Sequence, residues 1–194
     1  KEVKDYIYKI SETGIIGEHP EWSLSTEALY AKVSVSKERN EYKTAVSYYS
    51  DENCTTAVET PVITNTYTAP TEGSAELEIQ KAATESWTGK IPNYFQFKLE
   101  ALTEGAPMPG TTAVTNNGSD VSFGKITGYK EVKDYIYKIS ETGIIGEHPE
   151  WTVSSDVLYA KVSVRKEGNE YKTKVSYYSD ENCTTAVETP VITN

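Results

Sequence analysis

Residues 134–141 read DYIYKISE, and the alternation in this stretch decides the fold. Tyr135, Tyr137, Ile139 and Glu141 share one parity, and Ile136, Lys138 and Ser140 share the other. A period of two over β-branched and aromatic residues is the pattern of a strand with one face turned inward. The same octet stands at residues 5–12, and the match spreads outward from it. Residues 1–65 and 130–194 are two copies that differ at 8 of 65 positions, whereas residues 66–129 occur once. An offset of 129 residues is too long for a solenoid unit and suits whole domains in tandem.

The strand pattern continues on both sides. Leu77, Ile79, Lys81 and Ala83 alternate with Glu76, Glu78 and Gln80, and Phe95, Phe97 and Leu99 with Gln96, Lys98 and Glu100. Val121 and Phe123 open a strand that leads through Gly124 and Lys125 to Ile126. Leu158, Ala160, Val162 and Val164 alternate with Tyr159, Lys161, Ser163 and Arg165. Residues 171–178 and 187–194 complete the set, and KEGNE at 166–170 reads as a hairpin connection. Residues 105–110, 115–120 and 142–155 read as loops. Short strands between turn signals, with no helical period, predict an all-β protein, an Ig-like antiparallel β-sandwich.

Composition narrows the function. The 194 residues include 15 Tyr against 3 Phe and 1 Met, a strand-forming bias that argues against helical bundles. A net charge of −10 argues against nucleic acid and anionic membranes as partners. No apolar run approaches the ~18 residues of a membrane helix, and no secretion-signal pattern opens the sequence. Two cysteines are too few for a disulfide framework or a zinc cage. Cys54 and Cys183 occupy equivalent places in the two copies and read as unpaired thiols or partners in an adventitious intermolecular disulfide, with a Cys–Gln thioester as the rival. His19 and His148 each stand between two Glu in GEHPEW, where one histidine per copy favours a solvated loop over a metal site. Neither metal nor cofactor is expected. Tyr48–Tyr49 and Tyr177–Tyr178 suit either cross-strand packing or a sugar- or protein-binding strip. No Ser-His-Asp order, Walker loop or calcium loop is present, so the sequence does not read as an enzyme.

The phase of the repeat sets the domains. Residues 66–75 are polar and Pro/Gly-bearing and read as a linker. Residues 76–194 then form a complete domain, and 1–65 the C-terminal half of a preceding repeat. The rival is a permuted domain in which 1–65 pairs with 66–129. If the first and last strands of a unit lie parallel, that arrangement needs a return along the whole sandwich. The nine residues 68–76, TAPTEGSAE, reach at most about 30 Å, which favours the first phase. Residues 1–65 alone hold about four strands and cannot bury a face.

Three polar residues share parity with apolar neighbours. Lys81 is in phase with Leu77 and Ile79, Glu141 with Tyr137 and Ile139, and Asn194 with Ile192. Each would cost several kcal/mol if buried without a partner. The plain alternative is that each lies at a strand end and reaches solvent. Lys98 is out of phase with Phe97 and Leu99 and is expected outside.

FQFKLEA (95–101), GAPMPG (105–110), VSFGKI (121–126), YIYKISE (135–141) and VITN (191–194) follow in an order and spacing that resemble the streptococcal pilin isopeptide-linkage domain of Gram-positive surface proteins. The resemblance covers residues 75–194 and repeats over 1–65. It implies a covalent bond between a first-strand Lys and a last-strand Asn, catalysed by a Glu that ends the Tyr-x-Tyr-x-Ile-x-Glu strand. Those positions are Lys81, Asn194 and Glu141, with Glu12 and Asn65 in the first copy. Burial would keep the Lys amine neutral and nucleophilic, and a protonated Glu141 would polarise the Asn carbonyl and shuttle protons as ammonia leaves. Such a single-turnover self-modification is not enzymatic turnover. The implied role is a structural stalk repeat of a cell-wall-anchored, extracellular adhesin, with adjacent repeats as partners. A pilus shaft domain is the alternative, and a module binding a host protein or glycan is the alternative of another class. Two features depart from the resemblance. Asn65 is followed by the family's Thr-Tyr but Asn194 is not, and one first-strand Lys serves two Asn.

Overall fold

The structure is a computed structural model that describes residues 2–194. It is all-β, with no helix among the described residues, and divides into two compact units, Lys1–Ala69 and Pro70–Asn194.

The first unit contains β1 (Asp5–Ser11), β2 (Trp22–Ser23), β3 (Ala28–Glu38), β4 (Glu41–Tyr49), β5 (Ala57–Val58) and β6 (Thr66–Tyr67). Strands β1-β3-β4-β5 make one antiparallel sheet, and β2 pairs with β6. Only Leu29 and Ala31 of β3 are buried apolar residues here. Tyr8 and Ile10 of β1 are 56% and 42% exposed.

The second unit contains β7 (Gly73–Ala82), β8 (Phe95–Ala101), β9 (Ala113–Thr115), β10 (Asp120–Tyr129), β11 (Asp134–Ile144), β12 (Val157–Glu167), β13 (Glu170–Tyr178), β14 (Ala186–Val187) and β15 (Val191–Thr193). A six-stranded sheet runs in the order β14-β13-β12-β11-β8-β9, and a three-stranded sheet in the order β10-β7-β15. All pairings are antiparallel except β7 with β15, which places Ile192 beside Lys81. The inward residues of both sheets form one core, with Leu77, Ile79, Phe95, Phe97, Leu99, Ile126, Tyr137 and Ile139 essentially sealed from solvent. Burying each such side chain contributes about 1.5–3 kcal/mol. Hydrogen bonds also join the sheets, from Glu78 N to Tyr177 Oη (2.8 Å) and from Thr173 Oγ1 to Ser74 O (2.5 Å).

The structure redraws several boundaries. Half of the stretch 66–75, read as a linker, is strand: residues 66–67 are β6 and β7 begins at Gly73. Gly73 fits there because a Cβ would stand 2.9 Å from Thr173 Cγ2, so the sheets approach closely at that point. In β10 the inward set is Val121, Phe123, Ile126 and Tyr129. Its period slips at Gly124 (φ +73°) and Gly128 (φ +97°), where bulges insert an extra residue. Strand β11 runs on to Ile144 into the stretch read as loop. The expected strand 187–194 is broken. Val187 pairs with β13 in the large sheet, and the chain then crosses at Pro190, which cannot donate to a ladder, to put Val191–Thr193 in the small one.

Candidate functional site

Lys81 is the last inward residue of β7, where its side chain is fully shielded from water. Its Nζ donates to Ala82 O (2.5 Å) and Ile192 O (3.2 Å) and sits 4.6 Å from the Phe95 ring centroid. Glu141, on β11 of the opposite sheet, is equally shielded, with Oε2 3.8 Å from Lys81 Nζ and so outside hydrogen-bond range. A register shift against β8 follows Glu141, so it is the last residue of β11 in phase with Tyr137 and Ile139. Asn194 follows β15, and its Nδ2 donates to Glu141 Oε1 at 2.8 Å. The first, a middle and the last strand of the unit thus bring an amine, a carboxyl and a carboxamide into one cluster.

The side chains of Lys81 and Glu141 are both sealed from solvent. Burial is the largest influence on Lys81 and pushes its amine below the ordinary 10.5, against the opposing pull of Glu141 and Asp156. Among the described residues, Glu141 Oε2 and Asn194 Oδ1 are buried with no hydrogen-bond partner. An orphan polar atom in a protein interior costs about 1–3 kcal/mol, and two of them in contacting residues call for a chemical reason.

Further residues complete the surroundings, and sequence parity does not reach them. Ser154 lies in the connection between β11 and β12. Its N–H donates to Glu141 Oε1 (3.4 Å) and its hydroxyl to Thr193 O (2.7 Å), fixing the end of β15 against the carboxyl. Asp156 Oδ2 accepts from Thr193 N at 3.4 Å. A cleft of about 460 Å³, lined in part by Thr84, Trp87, Trp151, Ser154 and Asn194, opens beside the amide. Asn116 sits in the stretch 115–120 that was expected to be a plain loop, yet it is buried. Its Oδ1 accepts from Phe95 N (3.0 Å) and its Nδ2 donates to Pro92 O (2.7 Å) and Gly118 O (2.6 Å), holding Phe95 under Lys81.

The first unit carries two of the three groups of this cluster. Asn65 Nδ2 donates to Glu12 Oε1 at 2.8 Å, and Ser25 N donates to Asn65 Oδ1 at 3.0 Å. Lys98 points outward and pairs with Glu100 at 2.8 Å. Cys54 and Cys183 are free, each at φ +54°, and burial raises the Cys183 thiol above its ordinary value. His148 stacks on Tyr94 with centroids 3.8 Å apart and meets Glu150 at 3.2 Å. No cluster of three or more metal-ligating side chains occurs among the described residues. Tyr177 accepts the cross-sheet bond from Glu78 N, and Tyr178 lies under Lys161 Nζ at 5.0 Å.

A family model described as FctA, a Spy0128-like isopeptide-containing domain, matches residues 77–191. No curated protein matches the chain.

Proposed function

Since the chain belongs to the Spy0128-like isopeptide-containing domain family, we propose that its Pro70–Asn194 unit is a structural stalk repeat of a Gram-positive surface adhesin, closed by a self-made Lys81–Asn194 bond. The observation that carries this reading is the convergence of the fully shielded Lys81 and Glu141 with the half-buried Asn194 in one cluster.

The arrangement supports each step. The neutral Lys81 amine attacks Asn194 Cγ, the new C–N bond forms, the bond to Nδ2 breaks, and ammonia departs. The Glu141 carboxyl lies between the two nitrogens, with Oε2 on the side of the nucleophile and Oε1 at 2.8 Å from the leaving Nδ2. It can therefore take a proton from one and return it to the other. A proton carried on the carboxyl also supplies the kind of partner that the orphan Asn194 Oδ1 lacks. The fold holds all three groups together, so proximity lowers the barrier without any cofactor. The cleft beside Asn194 gives the released ammonia a way out.

The intact mass of the chain should be lower than that of its sequence by one ammonia. Peptide mapping should join the peptide of Lys81 to that of Asn194. Lys81→Ala and Glu141→Ala should each restore the full mass. A wild-type chain of unmodified mass would overturn the reading. A spacer should also bind no glycan or host protein in an array or pull-down.

A further inference from the structure

We propose that Ser154 serves the crosslinking reaction twice: its backbone N–H stabilises the oxyanion that forms on Asn194 Oδ1, and its hydroxyl positions that amide. The proposal rests on the Lys81–Asn194 reading above and adds a group to it.

The first observation comes from the two copies. SLSTEA (23–28) in one matches TVSSDV (152–157) in the other, so five of the eight differences between the copies fall in these six positions. Ser25 and Ser154 are the one identical pair among them. The stretch leads into β3 in the first unit and into β12 in the second. A connection that varies on both sides of one serine singles that serine out.

The second observation is where its N–H goes. Ser154 N donates to Glu141 Oε1 at 3.4 Å, long for such a bond, and Asn194 Oδ1 is left buried without a partner. In the first unit the matching Ser25 N donates to Asn65 Oδ1 at 3.0 Å. The pairing of carboxyl with carboxamide is the same in both, with Nδ2 at 2.8 Å from Glu Oε1. One N–H thus takes the carboxyl oxygen in one copy and the carboxamide oxygen in the other. It needs little motion to pass between them.

The third observation is the grip on Thr193. Ser154 Oγ donates to Thr193 O at 2.7 Å and accepts from Asp156 N at 3.2 Å, and Asp156 Oδ2 accepts from Thr193 N at 3.4 Å. Both backbone polar groups of the residue before Asn194 are therefore held by residues 154–156. From the other side, Asn194 N donates to Ala82 O at 3.1 Å and Asn194 O accepts from Thr84 N at 2.8 Å. The backbone that carries the amide is fixed from two sides, which keeps the amide at the amine.

The chemistry uses both functions. Attack of the neutral Lys81 amine forms the Nζ–Cγ bond and pushes the carbonyl electron pair onto Oδ1. The Ser154 N–H meets that charge, while Glu141 carries the proton from the attacking nitrogen to Nδ2. The pair returns to the carbonyl as the Cγ–Nδ2 bond breaks and ammonia departs.

The test follows ammonia loss by intact mass in full-length chains made by cell-free synthesis and stopped with acid at timed intervals. Ser154→Ala keeps the N–H and loses the hydroxyl. Replacing the Val153–Ser154 amide by an ester keeps the hydroxyl and loses the N–H. The ester chain should react about a hundredfold more slowly than the wild type. Ser154→Ala should be slowed about tenfold, the worth of one hydrogen bond, and Ser154→Thr should recover most of that. On the unjoined Glu141→Gln background, the ester should leave amide exchange along β11 and β12 unchanged. An ester chain that reacts as fast as Ser154→Ala overturns the oxyanion role, as does slowing that comes with lost protection of β11 and β12. A Ser154→Thr chain as slow as Ser154→Ala overturns the positioning role. A wild type that keeps its full mass refutes the isopeptide reading itself, and the role of Ser154 with it.

Discussion

Glu141→Gln isolates the contribution of the proposed bond. The substitution keeps the shape of the side chain and leaves an Oε1 to accept from Asn194 Nδ2, now at 2.8 Å. It removes the ability to move a proton, so Lys81 and Asn194 stay side by side and unjoined. A bond between them closes a loop of about 113 residues, for which chain entropy gives about 4.8 kcal/mol at 25 °C. The Pro70–Asn194 unit has about 125 residues. At ~2.1 cal/mol/K per residue its unfolding entropy is about 0.26 kcal/mol/K, or roughly 4 °C of Tm per kcal/mol. The variant should therefore melt about 18 °C below the wild type in scanning calorimetry and regain the mass of one ammonia. Reducing agent should change neither Tm. A Glu141→Gln chain that still loses ammonia would refute the proton-shuttle role. A chain of full mass with an unchanged Tm would refute the closure argument, because the bond would then constrain nothing in the unfolded state.

The unjoined Glu141→Gln chain also has a pH signature. Burial lowers the Lys81 amine in the folded state, so between that lowered value and 10.5 the unfolded chain binds more protons. Stability then rises with pH across that window; urea melts should show the rise, and adding Lys81→Met should flatten it. Asn116→Ala leaves Phe95 N and the Pro92 and Gly118 carbonyls without their partner. It should cost about 3 kcal/mol in urea unfolding, and a loss under 1 kcal/mol would count against the clamp. Gly73→Ala places a Cβ 2.9 Å from Thr173 Cγ2 and 3.2 Å from Tyr171 O, which should cost about 1–3 kcal/mol by overpacking; a neutral result would mean the sheets can part there.

Strand parity aimed Lys81, Glu141 and Asn194 inward but left a strand-end place open to each, and the family resemblance was needed to join them in one cluster. Each shares its parity with apolar residues whose place in the core is fixed by burial. Parity fails where a ladder changes partner. Nothing local in residues 187–194 announces that Val187 stays in one sheet while Ile192 crosses to the other, although Pro190 marks the break. The same holds for β10, where a count of two from Phe123 points Lys125 inward and misses Ile126. Gly124 and Gly128 were visible, but the bulges they permit depend on the facing strand β7. Ser154 and Asn116 lie in connections with no period to read, and their roles come from tertiary hydrogen bonds. The comparison of the two copies was the most informative sequence feature. It set the same strand in two surroundings, with Tyr137 and Ile139 buried and Tyr8 and Ile10 exposed.

The parallel pairing of β7 with β15 has a consequence for length. Without a crosslink, pulling Pro70 from Asn194 can pay out the whole unit, about 450 Å of extended chain at ~3.6 Å per residue. With Lys81 joined to Asn194, the path between the ends runs only along residues 70–81 and across one amide, about 40 Å at ~3.3 Å per residue. Residues 73–81 of that path are already extended in β7, so the slack is small. Everything from β8 to β14 hangs off that path as an unloaded loop. A repeat so joined would act as a strap of fixed length, and the reach of a series of them would be set by the number of units and hardly at all by the force on them.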